Sequence, residues 1–176
     1  MIIYFLRHAS AGERFSNPKK DEKRALDKAG IEQCGEVGRA LAALDVQVDM
    51  IISSPLKRAT QTASLVGNEL SYEGKLQLED GLRPGAAFAD FRRMLDKYAR
   101  HESVMLVGHN PNLSEFLGRI ISENGCEAGM DLKKGAVARV ELGRNSGIMQ
   151  WCITPKILRS LYAVAAESSR PKTSRK

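Results

Sequence analysis

The sequence predicts an α/β fold, a three-layer sandwich in which a mostly parallel central sheet is covered by helices on both faces. Short apolar runs rich in β-branched residues alternate with longer segments of helical periodicity over most of the chain, which is the pattern of such sheets. The length of 176 residues fits one domain. We expect a single domain over residues 1–167 and a basic, flexible tail over residues 168–176.

The first half of the chain opens with an apolar run, Met1 to Leu6, that is typical of a buried strand. Residues 9–28 hold Gly12, Pro18 and many charges without an apolar period, and therefore predict an exposed excursion with no regular element. Later apolar patterns predict a helix over residues 31–44, a strand over 48–53, a helix from Pro55 to about Leu70 and a short strand over 75–78.

The second half contains the most apolar predicted strand, over residues 103–107, which leads through His109, Asn110 and Pro111 into a further helix. Asn112 and Glu115 at the start of that helix resemble a capping box. The other elements predicted are helices over residues 86–100, 112–122 and 155–166, and strands over 135–142 and 148–153 with Asn145 in the turn between them. Core side chains are expected at Phe88, Phe91, Leu95 and Tyr98 of one helix stripe and at Trp151 and Cys152 of the last strand.

Charge and composition exclude several classes of protein. The chain carries 27 basic and 21 acidic residues, a net charge of +6, but four of the basic residues lie in the predicted tail without an acid. The rest of the chain is then only about +2, which is too little to predict a nucleic-acid surface. No apolar run approaches the roughly 20 residues that span a bilayer. We therefore expect a cytoplasmic protein with no membrane or nucleic-acid partner, whose three cysteines, Cys34, Cys126 and Cys152, are reduced.

Functional residues are expected where the parallel strands end, since ligands bind beyond the carboxyl ends of such strands. Three predicted strand ends carry basic or hydroxyl side chains. These are Arg7 and His8 after the first strand, Ser53, Ser54 and Arg58 after the second, and His109 after the strand over residues 103–107.

Two histidines and two arginines at one sheet edge indicate phosphoryl transfer. The transferred group spreads negative charge over its oxygens, so its site needs several fixed donors around one point and a nucleophile in line. A neutral imidazole is a competent nucleophile at physiological pH. This combination requires no metal ligand and no cofactor.

Three ordered motifs resemble those of the histidine phosphatase, or phosphoglycerate-mutase-like, superfamily. Residues 6–9, L-R-H-A, resemble its first signature, which usually ends in glycine. Residues 53–63, S-S-P-L-K-R-A-T-Q-T-A, resemble the second, and residues 107–111, V-G-H-N-P, the third. With its short length and the stretch E-K-R-A-L at residues 22–26, the chain is most similar to the SixA-type phosphohistidine phosphatases.

The resemblance covers about residues 1–153 and implies a phosphoglycerate-mutase-like fold with phosphatase activity. It implies that His8 attacks phosphorus to form a phosphohistidine, which water then hydrolyses. The catalytic or phosphate-binding groups that it implies beside His8 are Arg7, Arg58, His109 and Asn110. The alanine at position 9, where the family usually has glycine, is expected to have a negative φ.

One departure from the wider superfamily bears on the substrate. Members that hydrolyse phosphate esters typically place a glutamate shortly after a leucine in mid-chain; here Leu82 aligns that position with about Pro84, which has no proton to donate. An alkoxide needs general acid catalysis, whereas the imidazole of a phosphohistidine leaves with far less help. The sequence therefore favours phosphohistidine in a protein as substrate. Asp80 and Glu79 are the candidate acids if a loop brings either to the site.

Other readings stay open: a phosphatase for small phosphate esters with Asp80 or Glu79 as acid, a relative acting on a phosphorylated cofactor precursor, and a non-catalytic phosphate-binding module. The oligomeric state is not predicted.

Basic side chains of the excursion, at Arg14, Lys19, Lys20 and Arg24, are expected to form a solvated loop rather than a substrate entrance. Four side chains of the second motif, Ser53, Ser54, Gln61 and Thr62, are expected to cap or pack rather than to act on substrate.

Overall fold

The computed structural model describes residues 1–122, 128–144 and 146–168. Six strands are formed over this part of the chain: β1 (Ile2–Arg7), β2 (Met50–Ser53), β3 (Gln77–Leu78), β4 (Ser103–Gly108), β5 (Val137–Leu142) and β6 (Gly147–Ile153). The α-helices are α1 (Pro18–Glu22), α2 (Lys28–Ala43), α3 (Lys57–Glu69), α4 (Phe88–Lys97), α5 (Asn112–Ile120) and α6 (Pro155–Ser168). A 3₁₀ turn over Asp80–Leu82 precedes α4.

The strands form one six-stranded sheet in the order β3-β2-β4-β1-β5-β6. Neighbours among the first four strands run parallel, whereas β5 runs antiparallel to β1 and β6 antiparallel to β5. The predicted mostly parallel α/β sheet is therefore confirmed. The antiparallel pairing of β6 with β5 follows from the short polar connection between them, which is long enough only for a hairpin.

Helices cover both faces of the sheet because alternate residues of its central strands point to opposite sides. Tyr4 and Leu6 of β1 belong to a buried cluster with apolar residues of α2 and α3, whereas Ile3 and Phe5 belong to a second cluster with those of α4 and α5. In the second cluster, the ring of Phe91 packs 4.6 Å, centroid to centroid, from that of Phe116. The stripe predicted on α4 does lie in this core, with two members buried and two partly buried.

The strand register brings the predicted site residues to one edge. Arg7 at the end of β1 pairs with Gly108 of β4, and Ser53 of β2 pairs with Val107 of the same strand. The residues that follow these strands, His8, Ser54 and His109, therefore leave the sheet side by side.

Two local predictions are wrong. Pro111, not Asn112, is the N-cap of α5, and no side chain of the described residues caps this helix. The Asn112 side chain instead accepts a hydrogen bond from Gly85 N–H (2.9 Å) and donates one to the Ala86 carbonyl (2.7 Å). The proposed capping box does not form because Asn112 has this neighbouring loop to bind.

The excursion over residues 9–28 is also more ordered than predicted. It contains α1, whose N-cap Asn17 accepts hydrogen bonds from the backbone N–H groups of Lys19 and Lys20. Asp21 of this helix is buried. A buried carboxylate needs partners of opposite charge, and here they are arginines of the site described below.

The remaining predictions about single residues concern the last strand, the cysteines and Ala9. Trp151 and Cys152 are both half-buried. Trp151 packs against the cluster that contains Tyr4 and Leu6, and Cys152 against the cluster that contains Ile3 and Phe5. Cys34 and Cys152 are free thiols. The φ of Ala9 is not positive, as expected, since the only non-glycine residues with positive φ in the described part of the chain are Asp45 and Ser71. Cys126, Asn145 and residues 169–176 lie outside the described residues, and no helix within the described ranges is long and apolar enough to cross a membrane.

Candidate active site

His8 lies directly after β1 and is held on two sides by backbone. Its N–H donates to the Gly108 carbonyl (3.1 Å), and its ring Nδ1 lies 2.7 Å from the Ala9 carbonyl. Because a carbonyl only accepts, Nδ1 carries the proton and Nε2 keeps its lone pair. Burial is the main cause that lowers the pKa of His8, to about 3, and the charges of Arg58 and Arg7 contribute less. The ring is therefore a neutral, oriented nucleophile at pH 7.

The second histidine faces the first. The ring centroids of His8 and His109 are 4.9 Å apart, and the pKa of His109 is lowered to about 2, first by burial and then by the neighbouring His8 and Arg58. Nε2 of His109 lies 2.9 Å from the Ser54 hydroxyl oxygen. Its Nδ1 is buried and has no hydrogen-bond partner among the described residues.

Ser54 decides which nitrogen of His109 carries the proton. The Leu56 N–H donates to the Ser54 oxygen at 3.4 Å, and among the described residues Nε2 of His109 is the only acceptor in hydrogen-bond contact with the Ser54 hydroxyl, so the hydroxyl proton is directed to it. The imidazole proton is then left on Nδ1, the nitrogen without a protein partner. This geometry leaves His109, a residue of the cavity wall, with one buried N–H donor that no described group of the protein uses.

Arg7 and Arg58 contribute further unused donors. Nη1 of Arg7 donates to the Leu132 carbonyl (2.7 Å) and Nη1 of Arg58 to the Asp21 carbonyl (2.8 Å). The Nε atoms of both arginines are buried without a partner among the described residues. Burial lowers the pKa of both guanidinium groups, yet an arginine stays charged at pH 7. Both groups are therefore held by one nitrogen and remain free to bind an anion.

Asp21 joins the excursion to this cluster. Its carboxylate lies 2.8 Å from Nε of Arg24 and 3.3 Å from Nη1 of Arg58. Burial alone would raise the pKa of Asp21, but hydrogen bonds from Arg24 and the Phe15 N–H, together with the charge of Arg58, lower it overall. The expectation that Arg24 is part of a solvated loop is wrong, since its side chain is only 12% exposed.

Asn110 lies in the wall of the site, with both ends of its amide engaged by protein. Its Nδ2 donates to the Leu132 carbonyl (3.0 Å), and its Oδ1 accepts from the Ser114 hydroxyl (2.9 Å). Leu132 also accepts the hydrogen bond from Arg7. Asn110 thus holds the same carbonyl that fixes the Arg7 guanidinium.

These side chains line a cavity of about 1000 Å³ that opens beyond the carboxyl ends of the strands. The residues already described in this wall are Arg7, His8, Arg58, His109 and Asn110. Four more cationic side chains line the cavity: Arg14, Arg24, Arg83 and Lys134. Lys19 and Lys20 are exposed and lie outside its wall. The cavity is strongly positive, as a site for a phosphoryl group requires.

The candidate general acids lie outside this cavity, along a neighbouring groove of about 740 Å³. Asp80 accepts from Nε of Arg83 (2.6 Å), and Glu79 accepts from the Tyr98 hydroxyl (2.9 Å). Pro84 does line the cavity, at the position where the sequence predicted that an acid is missing.

Besides Asp21 and Arg24, two further residues of the site were missed by the sequence analysis. Ser54 was expected to cap a helix, and its contact with His109 required knowing that β2 neighbours β4. Glu22 lines the cavity and accepts from Nη1 of Arg83 (2.9 Å), a pair separated by 61 positions in sequence. Gln61 and Thr62 pack as expected: Thr62 accepts from the Ala9 N–H, and Gln61 from the Leu26 N–H.

Comparison with known proteins identifies the family. The model of the histidine phosphatase superfamily (branch 1) matches residues 3–101, more than half of the chain. The chain belongs to the histidine phosphatase superfamily. The family predicted from the three motifs is confirmed, and with it, at the level of the family, a phosphatase-like hydrolase.

Individual relatives of this histidine phosphatase extend the comparison. An uncharacterized protein of Picosynechococcus sp. is 31% identical over 147 residues, which cover 81% of this chain and 86% of the relative. The structure of the protein histidine phosphatase SixA complexed with tungstate has a TM-score of 0.80 at 22% identity, covering 90% of this chain and 99% of that one. A putative phosphohistidine phosphatase SixA from Agrobacterium tumefaciens has a TM-score of 0.74 at 24% identity, covering 88% and 97%.

Relatives with other names share the same fold. A putative alpha-ribazole-5'-P phosphatase from Escherichia coli has a TM-score of 0.69 at 16% identity, covering 88% of this chain and 98% of that one. At such identities the likeness shows the fold alone. The choice of substrate therefore has to be argued from the residues of the site.

Proposed function

We propose that this protein is a metal-independent phosphatase that forms a phosphohistidine on His8 and dephosphorylates phosphohistidine in a protein substrate. The observation that carries the proposal is the state of His8: buried, neutral and hydrogen-bonded through Nδ1, with Nε2 available. Membership of the histidine phosphatase superfamily supports phosphatase chemistry.

In the first step, the lone pair of His8 Nε2 attacks phosphorus. The new P–N bond forms as the P–N bond to the substrate imidazole breaks. That ring, protonated on its other nitrogen, leaves as a neutral imidazole with the electron pair. The unpartnered Nε atoms of Arg7 and Arg58 and Nδ1 of His109 donate to the phosphoryl oxygens. Their hydrogen bonds are strongest in the transition state, where the oxygens carry the most charge.

In the second step, a water oxygen attacks the same phosphorus and the bond to His8 Nε2 breaks. The water proton goes to solvent, phosphate leaves and the neutral imidazole is restored. The Nδ1 hydrogen bond to the Ala9 carbonyl keeps the ring in one orientation through both steps.

The choice of a phosphohistidine substrate rests on the carboxylates of the cavity. Only Asp21 and Glu22 line it among the described residues, and each is ion-paired with an arginine, so neither holds a proton for a leaving alkoxide. An imidazole leaving group needs no such acid, because its conjugate acid is far stronger than an alcohol. The site therefore suits a phosphoramidate better than an ester.

The test is paired hydrolysis of a phosphohistidine-containing protein and a phosphoserine peptide, by wild type and His8→Ala, with and without a chelator. Each arm needs a control for spontaneous decay. We expect chelator-resistant turnover of phosphohistidine, at least about 100-fold faster than that of phosphoserine, to vanish in the variant. Equal or faster turnover of phosphoserine would contradict the proposed substrate.

Glu22 favours one alternative, a phosphomonoesterase acting on a small phosphate ester. Its carboxylate is half-exposed in the cavity wall, where an ester substrate would meet it. In that case Glu22→Gln abolishes phosphoserine turnover, whereas Asp80→Asn and Glu79→Gln test the carboxylates predicted from sequence. Absence of any turnover that depends on His8 would favour a non-catalytic phosphate-binding module.

A further inference from the structure

The cavity carries more positive charge than a phosphoryl group needs. Among the described residues, six cationic side chains line it and only two carboxylates, which leaves four positive charges. A phosphoryl group on a side chain carries about two negative charges at pH 7. About two cations are therefore left over for another part of the substrate.

Most of the six cations are already committed to groups of the protein. Arg24 and Arg58 share Asp21, and Arg83 is paired with Glu22 and Asp80. Arg7 is held by a carbonyl and faces the reacting phosphoryl group.

Arg14 and Lys134 are the least committed pair. Lys134 does lie near Asp27: burial raises the pKa of that carboxyl, but hydrogen bonds from Gly30, Ser10 and Gly12 and, last, the charge of Lys134 lower it overall. Within the described part of the chain, neither side chain makes a hydrogen bond or an ion pair, and both are exposed. They come from separate segments, the excursion before α2 and the loop before β5, yet line the same cavity. Burial is the main reason that the pKa of Arg58 is lowered, but the charge of Arg14 contributes, so Arg14 lies near the phosphate-binding groups.

We propose that Arg14 and Lys134 form a second anion subsite that binds carboxylates of a substrate protein, on acidic residues close to the phosphorylated side chain. The inference rests on the proposed function and deepens it, because it names the substrate as an acidic phosphorylated segment. Two exposed cations on different rim segments suit a chain that crosses the mouth of the cavity. Exposed pairs of this kind select partners and speed association more than they add affinity.

The experiment compares two phosphohistidine peptides of equal length, one with glutamate and one with glutamine on both sides of the phosphorylated residue. kcat/KM is measured for wild type, Arg14→Gln, Lys134→Gln and the double variant. Lys19→Gln is the matched control, since it removes one charge from the same excursion outside the cavity. An aryl phosphate whose ring carries no charge reports the basal turnover of each variant without flanking carboxylates.

We expect wild type and Lys19→Gln to prefer the acidic peptide by about fivefold to tenfold. The preference falls in each single variant and disappears in the double variant. Because it is a ratio of two peptides measured on the same enzyme, a change in the basal turnover of a variant does not affect it. It also disappears near 1 M salt, where the screening length is only about 3 Å.

Three results would overturn the subsite: no acidic preference in wild type, a preference that survives in the double variant, or faster turnover of a small bisphosphate than of the acidic peptide. Binding of the same peptides to His8→Ala, followed by fluorescence anisotropy, separates this inference from the proposed function. If His8→Ala binds the acidic peptide more tightly but wild type does not hydrolyse either peptide, the phosphohistidine chemistry is overturned and the subsite is kept. Turnover that depends on His8 without acidic preference would do the reverse.

Discussion

The Ser54 hydroxyl and the His109 ring meet at 2.9 Å between two neighbouring strands, and this contact fixes the proton of the second histidine on Nδ1. Both groups are buried. The strand order places them together, because β2, which precedes Ser54, lies beside β4, which precedes His109. A serine outside the phosphate pocket thereby sets a donor inside it.

Replacing Ser54 should impair catalysis through His109. In Ser54→Ala the imidazole is free to place its proton on Nε2, and the donor aimed at the phosphoryl oxygen is lost. We expect kcat to fall by about 10-fold to 100-fold with a smaller change in KM, since the lost hydrogen bond is strongest in the transition state. Ser53→Ala is the matched control, because the Ser53 hydroxyl donates to the Ser54 carbonyl and not to a histidine. Equal kcat in the two variants would contradict this role.

Removing the carboxylate of Asp21 should affect both stability and substrate binding. Asp21→Asn leaves Arg24 and Arg58 without the anion that they share, at a buried position. We expect a loss of about 2–4 kcal/mol in the free energy of unfolding and a higher KM. Urea denaturation checks the first, with Asp90→Asn as control, because the exposed Asp90–Arg93 pair is worth less than about 1 kcal/mol. A loss no greater than that of the control would show that Asp21 does not hold these arginines.

The buried histidines should make the protein less stable as the pH falls. An unfolded histidine titrates near 6.5, whereas the pKa of His8 is about 3 in the fold. Below pH 6.5 the unfolded chain therefore binds a proton that the native protein does not, and the native state loses stability until the pH reaches about 3. Between pH 7 and pH 5 we expect His8 to account for about 1–2 kcal/mol of that loss.

Urea unfolding of wild type and His8→Asn at both pH values measures this contribution. The variant should lose less stability than wild type over the same interval, since asparagine does not titrate. Three acidic side chains also have a lowered pKa, Asp21, Asp27 and Asp131, but their contribution to stability is lost mainly below about pH 5, outside this interval. The same pH dependence in both proteins would contradict a buried, neutral His8.

An added acid at position 84 should broaden the substrate range. Pro84 lines the cavity where the sequence predicted a missing proton donor. We expect Pro84→Glu to raise kcat/KM on a phosphoserine peptide by about tenfold over Pro84→Gln, with no gain on phosphohistidine. Pro84→Gln controls for the loss of the proline ring. Equal ester turnover by the two variants would argue against a missing acid as the cause of selectivity.

Much of the fold could be predicted from sequence because its signals are local. Strand β1 is apolar up to its last residue, Arg7, and β4 is apolar after its first residue, Ser103, while the stripe on α4 has regular helical spacing. The motif histidines and arginines could be located at strand ends without knowing the strand order. Each of these predictions needs only a short window of residues.

Predictions that depended on distant partners were the ones that failed. Asp21 looks like one acid among many in a charged stretch, and its burial depends on Arg58, 37 positions away. Asn112 has the spacing of a capping box, yet it binds the loop at Gly85, 27 positions away. Ser54 and Glu22 were likewise missed because their partners in the site, His109 and Arg83, are 55 and 61 positions away. Local pattern carries no information about such pairs.

The most direct test of the mechanism is to trap the phosphoryl group on the enzyme. Wild type is mixed with a phosphohistidine peptide, quenched in base within one turnover, and mapped by mass spectrometry and ³¹P NMR. Because Nδ1 of His8 is held by the Ala9 carbonyl, the account predicts a phosphoryl group on Nε2 of His8 that forms and decays at the rate of turnover, and none in His8→Asn. Full turnover with no phosphoryl group on His8, or with one on His109 instead, would contradict it.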